Sequence, residues 1–208
     1  MSPLSLAQSF HAAGRGKIEL EDLSCSGEDA GTGQFSRLWL SRCRFLGCRF
    51  GDLSVGEMNC SDTIFERCDL SNVRWEDCFF LRTEFRDCRL TGSRFIGSSF
   101  GECVFSGCTG RYGNYVRVQL RSCRVNDCDY GESAWGESVF RKCDFRNVRF
   151  FRSDFTRADL GKADFRVCDL EGAFFSPDRL SGVVVTYGQA AELARLMGLE
   201  IRGREETE

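Results

Sequence analysis

This 208-residue sequence predicts an all-β solenoid, a coil of short stacked strands, on three observations. A five-residue register runs unbroken from Leu20 to Phe175, and its 29 positions from 35 to 175 hold fifteen Phe, six Leu, two Trp, two Tyr, two Val, one Cys and one Gly. Two residues before these centres the side chain is small, and eleven of the thirteen cysteines sit in that phase. Finally, a period of five matches neither the 3.6 of a helix nor the 2 of a strand, so the chain must turn a corner once per block.

The blocks Ala158-Asp159-Leu160-Gly161-Lys162 and Ala163-Asp164-Phe165-Arg166-Val167 make the chain resemble the pentapeptide-repeat family, with its consensus A-(D/N)-(L/F)-x-x. That resemblance implies a right-handed quadrilateral β-helix, with one pentapeptide per side and twenty residues per coil. About eight coils then fit between residues 18 and 177, a rod roughly 38 Å long at a strand spacing of about 4.8 Å. The expected organisation is an N-terminal cap over 1–17, the β-helix over 18–177, and a C-terminal capping and dimerisation helix with its tail over 178–208.

The open ends of such a coil need covering. Ser5-Leu6-Ala7-Gln8 reads as a weak capping box ahead of an apolar stretch ending at Gly14. The first coil concentrates acid, with Glu19, Glu21, Asp22, Glu28 and Asp29 and no Arg from 18 to 36. It is a possible partner contact, and a solubilising cap is the slightly better reading. Cys48, Cys68, Cys88, Cys108 and Cys128 stand twenty apart and should form one inner ladder, with Cys103, Cys123 and Cys143 as a second. Metal or redox chemistry is the alternative use of such ladders, but buried thiols pointing the same way in apolar surroundings favour small hydrophobes.

Phe45, Phe65, Phe85 and Phe105 should stack on one side, resumed by Phe145 and Phe165 after Val125. Core packing is the expectation, against exposed platforms for single-stranded nucleic acid. Val55, Cys60 and Gly110 are undersized centres, and Trp75, Tyr115, Tyr130 and Trp135 are oversized ones. Gly110 and Gly113 bracket Arg111 and Tyr112, which predicts a bulge, bend or outward bow over 109–116 and makes that pair a second candidate contact. At the far end Thr186-Tyr187-Gly188-Gln189 is a capping box; Ala190, Leu193, Ala194 and Met197 form an apolar stripe, and Gly198 ends the helix. Leu199-Glu200-Ile201 alternates like a short strand. With Val184, Leu193, Met197, Leu199 and Ile201 it exposes enough apolar surface to expect a two-fold homodimer through the C-terminal end.

Composition excludes several classes. The sequence has 42% apolar and 28% charged residues, a net charge of −3, and no apolar run near the roughly 20 residues of a membrane span. The start lacks a signal-peptide pattern, so the expected location is cytoplasmic with reduced thiols. His11 is the only histidine, which leaves no Ser-His-Asp, Cys-His or His-metal arrangement; neither an enzyme, a cofactor nor a metal is expected. Gly14-Arg15-Gly16-Lys17 imitates the end of a phosphate loop without its glycine spacing or following Ser or Thr.

The tail Tyr187-Gly188-Gln189-Ala190 to Met197-Gly198-Leu199-Glu200-Ile201 is similar to the ending of the Qnr, MfpA and AlbG group. That likeness implies a dimeric rod that binds DNA gyrase or topoisomerase IV as a mimic of duplex DNA and protects it from quinolones or other topoisomerase poisons. Two features depart from the group. The blocks centred at 40 to 160 sum to about +3 and the other sides lie between −1 and 0, so no side is an anionic stripe, and the register admits no inserted loop between 20 and 175. Pairs such as Asp144 with Arg146 and Asp164 with Arg166 read as cross-coil pairs on a solvated face, each contributing under about 1 kcal/mol. Mixed sides also offer no basic track for direct nucleic-acid binding. The alternative function is a β-helical interaction scaffold unrelated to topoisomerases.

Overall fold

The structure is a computed structural model describing residues 6, 17–35 and 37–202. It is an all-β solenoid of about eight coils followed by one C-terminal helix, α1, Tyr187–Leu196. Strands repeat at twenty-residue intervals and pair in parallel, always with the same register. Side I holds seven strands, beginning with Lys17–Glu21 and Arg37–Ser41 and ending with Val139–Arg141. Side II holds seven more, from Ser24–Ser26 to Asp144–Arg146. Side III is a column of single bridges from Asp29 to Asp169, and side IV runs from Gly33–Phe35 to Phe174–Phe175.

Each coil hydrogen-bonds to both neighbours. Ile64 N donates to Cys43 O at 2.9 Å in the coil before, and Leu70 N donates to Arg89 O at 2.7 Å in the coil after. Most corners are made by the residue two after a centre. Among the described residues twenty non-glycine ones have positive φ there, including Asp62 (51°), Arg82 (46°) and Tyr112 (59°). A left-handed L-residue costs about 1–2 kcal/mol. The cost is offset because its amide caps a carbonyl of the following coil, as Arg82 N does on Gly101 O at 2.9 Å.

The interior is one side chain deep from each side. Phe45, Phe65, Phe85 and Phe105 form the expected stack, with centroid separations of 5.2, 5.2 and 4.9 Å and interplanar angles from 22° down to 4°. Phe145 and Phe165 resume it at 5.4 Å. All six are buried, so none is a platform for bases. Where side II meets side I the rings turn edge-on, as for Phe80 and Phe85 at 64°.

The small slot is polar for a reason the period alone does not reveal. Its hydroxyls and thiols donate to the carbonyl of a centre in the preceding coil: Cys88 Sγ to Phe65 O at 3.3 Å, Ser98 Oγ to Trp75 O at 3.0 Å, Cys108 Sγ to Phe85 O at 3.4 Å, Ser138 Oγ to Tyr115 O at 2.8 Å. Cys, Ser and Thr thus pack as small side chains while supplying a donor to a backbone acceptor held away from water.

The bulge expected at 109–116 does not occur. Bridges from Arg89 through Thr109 to Asp129, and from Arg94 through Asn114 to Ala134, keep the register unbroken. The space that Gly110 lacks a side chain to fill is taken by Tyr130 and Tyr115: a Cβ on Gly110 would lie 2.4 Å from Tyr130 Cε1 and 2.6 Å from Tyr115 Oη. Trp135 stacks on Tyr115 at 4.3 Å, and its Nε1 donates to Ser133 Oγ at 2.8 Å. Undersized and oversized centres therefore compensate across neighbouring coils.

At the N-terminus Leu6 is helical and buried, and its amide donates to Glu28. Lys17 belongs to the first strand, and the rest of the expected 1–17 cap, including Ser5, Gln8, His11 and the Gly14–Gly16 segment, lies outside the described residues. At the other end Val184 bridges Asp164. Thr186 and Gln189 form the capping box of α1, and Gly198 follows it at φ 85°. Leu199–Ile201 has no β-partner among the described residues.

Gly110→Ala should destabilise the protein by about 1–3 kcal/mol, the range for forcing an extra methyl into a packed core. Gly110→Ala combined with Tyr130→Leu should recover part of that loss in a guanidinium titration. Equal stability of Gly110→Ala and wild type would refute the compensation between the glycine and the two tyrosines.

Candidate interaction surfaces

Among the described residues no group of three or more His, Cys, Asp or Glu is placed to hold a metal. The thirteen cysteines are free thiols, twelve buried and Cys143 half-buried. Burial pushes the Cys143 and Cys168 thiols up to about 11, and those of Cys25 and Cys78 up to about 12. Cys68, Cys88 and Cys108 are raised chiefly by hydrogen bonding to the next thiol in the ladder. A thiolate is the reactive form, so these raised thiols are suppressed both as nucleophiles and as ligands. At pH 8 a thiol-exchange reagent should leave the folded protein largely unmodified while labelling it fully in guanidinium, and Cys143 should react first. Rapid stoichiometric labelling of the folded chain would overturn this assignment.

The acidic first coil is largely compensated by the coil that follows. Arg42 meets Glu21 at 2.5 Å and Asp22 at 2.7 Å, and Arg49 meets Asp29 at 3.3 Å. Glu28 is occupied by the Leu6 amide, and Glu19 stands exposed on side I. The same device recurs along the rod: Arg82 on Asp62 at 2.6 Å, and Arg149 between Asp129 at 3.7 Å and Asp169 at 3.3 Å. The adjacent guanidinium holds Asp22, Asp62 and Asp159 below the usual carboxylate value.

Asp144 with Arg146 and Asp164 with Arg166, expected to pair across coils, instead pair within one side, at 3.0 and 2.7 Å. The residues flanking a centre both point outward, so i and i+2 lie within reach of a guanidinium. On side III the column reads Asp29, Arg49, Asp69, Arg89, Thr109, Asp129, Arg149, Asp169, with a sign change at nearly every coil.

Arg111 and Tyr112 sit on the corner between sides III and IV. Arg111 pairs with Glu132 at 2.6 Å and lies 5.3 Å from the Tyr112 ring centroid, while its Nε has no hydrogen-bond partner. Tyr112 is 57% exposed. Two coils on, Arg149 and Arg152 both lie 4.9 Å from Phe151. These aromatics and guanidiniums form one mixed patch, with every cation near an acid or a ring.

The C-terminal end differs from the sides by being apolar. Gln189 ties α1 to the last coil, its Nε2 donating to Phe165 O and Cys168 O, both at 2.8 Å. No residue of the helix is fully buried. Leu193 is half-buried, whereas Val184, Met197, Leu199 and Ile201 are all exposed. Tyr187, at 99% exposure, and Leu196 join this patch, although spacing alone does not single them out. Between α1 and the last coil lies an open cleft of about 560 Å³ lined by Leu170, Gly172, Gly188, Leu193 and Leu196.

A family model described as pentapeptide repeat region matches residues 38–115, and a second, pentapeptide repeats (8 copies), matches residues 136–172; together they span more than half of the chain. No curated protein matches. Among solved structures, a trypsin-treated form of QnrB1, a plasmid-mediated fluoroquinolone resistance protein, is 22% identical with a TM-score of 0.32, covering 89% of this chain and 100% of its own. HetL, a pentapeptide repeat protein involved in heterocyst differentiation regulation from the cyanobacterium Nostoc sp. strain PCC 7120, is 14% identical with a TM-score of 0.43, covering 84% of this chain and 91% of its own.

Proposed function

The chain belongs to the pentapeptide-repeat family, and we propose that it is a non-enzymatic protein-binding rod, dimeric through its C-terminal end, that acts on DNA gyrase or topoisomerase IV in the cytoplasm and modulates their sensitivity to poisons. The observation that carries this reading is the C-terminal module: a capped helix tethered by Gln189, carrying Tyr187, Leu196 and Met197 exposed beside Val184, Leu199 and Ile201. The tail's likeness to the Qnr, MfpA and AlbG ending is what directs the proposal to topoisomerases. Dimerisation would bury the apolar patch and give Leu199–Ile201 a strand partner. Two rods of roughly 38 Å each, joined end to end, would make a body about 75 Å long.

Contact with a topoisomerase would depend on rod shape and on the mixed patch at Arg111 and Tyr112, because the acids are compensated by arginines instead of forming a row of uncompensated charge. That compensation also supports the second reading, a scaffold for a different protein. Direct nucleic-acid binding is disfavoured for the same reason, since no side carries a basic track along the rod.

The purified protein titrated into a gyrase supercoiling assay, with and without ciprofloxacin or albicidin, should inhibit supercoiling or relieve drug-stabilised cleavage at low micromolar concentration. No effect on gyrase or topoisomerase IV would leave the scaffold reading. Separately, Leu193→Asp with Met197→Asp should halve the mass measured by light scattering at low protein concentration. An unchanged mass would show that the C-terminal end is not the dimer contact.

A further inference from the structure

The corner between sides I and II keeps one hydrogen-bond pattern along most of the rod and loses it near the C-terminal end. The corner residue donates its amide to a carbonyl of the following coil: Asp22 to Ser41 O at 3.0 Å, Arg42 to Ser61 O at 3.1 Å, Asp62 to Leu81 O at 3.0 Å, and so on to Ser122 on Arg141 O at 2.8 Å. Lys142, next in the column, has no hydrogen-bond partner for its amide among the described residues. The cause lies one coil on. There Gly161 takes the left-handed turn, at φ 60°, in place of Lys162, whereas Lys142 keeps the usual corner conformation at φ 53°. The Gly161 carbonyl faces Gly182, whose Cβ would stand 3.8 Å from it, and so does not serve the Lys142 amide.

The slot donor is lost at the same place. Cys103, Cys123 and Cys143 donate to Phe80 O, Phe100 O and Leu120 O at 3.6, 3.3 and 3.5 Å. Ala163 has nothing to donate to Phe140 O, and Arg141 Nη1 folds in to do so at 3.0 Å. The seven-stranded sheets of sides I and II both stop at this coil. Between it and the next lies an open cleft of about 360 Å³ lined by Arg141, Lys142, Gly161 and Lys162.

Charge changes along the same column. In its first four coils Asp22 pairs with Arg42 at 2.7 Å and Asp62 with Arg82 at 2.6 Å. Lys142 and Lys162 are instead neighbours about 4.8 Å apart along the rod, both exposed and without an ion pair among the described residues. The acids beside them are already held, Asp144 by Arg146 at 3.0 Å, Asp164 by Arg166 at 2.7 Å, and Asp159 by Arg141. Like charges directly opposite on neighbouring strands repel, a cost that an external anion would relieve.

We infer that this corner is a binding site for a phosphate group, held by the Lys142 amide and by the ammonium groups of Lys142 and Lys162. A phosphate ester carries about −1.5 to −2 at neutral pH and matches two cations, which a single carboxylate does not. Open amides at left-handed turns form anion-binding concavities, and lysine binds phosphate as a point charge. Arg141 stands outside the set because Asp159 and Phe140 O occupy its guanidinium. The cleft has room for one phosphate with a small substituent and none for a duplex. A phosphate there would bridge two coils where their backbone bonding lapses, and the site is independent of any topoisomerase.

The test is an NMR titration of isotope-labelled full-length protein at constant ionic strength, with inorganic phosphate and phenyl phosphate as probes and acetate as the control. Without ligand the Lys142 amide should exchange with solvent faster than that of Ser122. Either phosphate probe should shift the Lys142 amide saturably and slow its exchange roughly tenfold. Tighter binding of phenyl phosphate would assign the site to organic phosphates, and equal binding to the phosphate group alone. Lys142→Gln with Lys162→Gln should weaken binding roughly tenfold, whereas Arg74→Gln, which removes a cation of side IV, should leave it unchanged. No saturable shift up to about 10 mM probe, an equal response to acetate, or unaltered binding by the double variant would overturn the proposal. Tighter binding of a glutamate-rich peptide than of either phosphate would also overturn it, by giving the corner to an acidic segment of a protein.

Discussion

The structure depends on one constraint: each side of the coil contributes a single large side chain to an interior that has no room for a second. Along the sides the backbone amides bond mainly to the coils before and after, so a residue's position is tied to those about twenty places away. Inserting or deleting one residue would turn every later centre outward and every outward residue inward. The same coupling holds twenty non-glycine residues at positive φ, a strain that only a rigid environment sustains. It also explains why Gly110 leaves the path of the chain undisturbed. Displacing the backbone would sever hydrogen bonds in two coils, so the neighbouring rings Tyr115 and Tyr130 fill the space instead.

Most of the fold is legible in the sequence because the period of five is read directly and each centre reports on itself. The phenylalanine stack and the Thr186–Gln189 capping box need only the spacing of their own residues. Features that depend on pairs of coils are harder to read. The filling of Gly110 requires knowing that Tyr130 is the next residue on the same side and how its ring leans. The slot donors require the carbonyl of a centre 23 residues earlier to face the corner, which composition does not encode. Asp144 and Asp164 show the same limit, since register permits pairing along or across the coils and side-chain reach decides between them.

The candidate surfaces are less legible than the fold. Val184, Met197, Leu199 and Ile201 are conspicuous as apolar residues beyond the last repeat, and they prove exposed; Leu193 is half covered by the last coil and Tyr187 is more exposed than any of them. The acidic first coil reads as a concentration of charge only while Arg42 and Arg49 are counted separately from it. Twenty residues later in sequence is one coil away in space, and there the arginines neutralise most of what the local sequence suggests. A rod with its charges compensated in this way presents shape, scattered aromatics and an apolar end, and that is the basis of the proposal that it recognises a partner protein.

The most direct test of that account is the affinity of the full-length protein for DNA gyrase measured as a function of ionic strength. Recognition through shape and apolar contact predicts a complex whose dissociation constant changes by less than about threefold between roughly 50 and 200 mM salt, whereas a surface acting as a chain of phosphates would lose orders of magnitude over the same range. A steep salt dependence, or no complex at all, would contradict it.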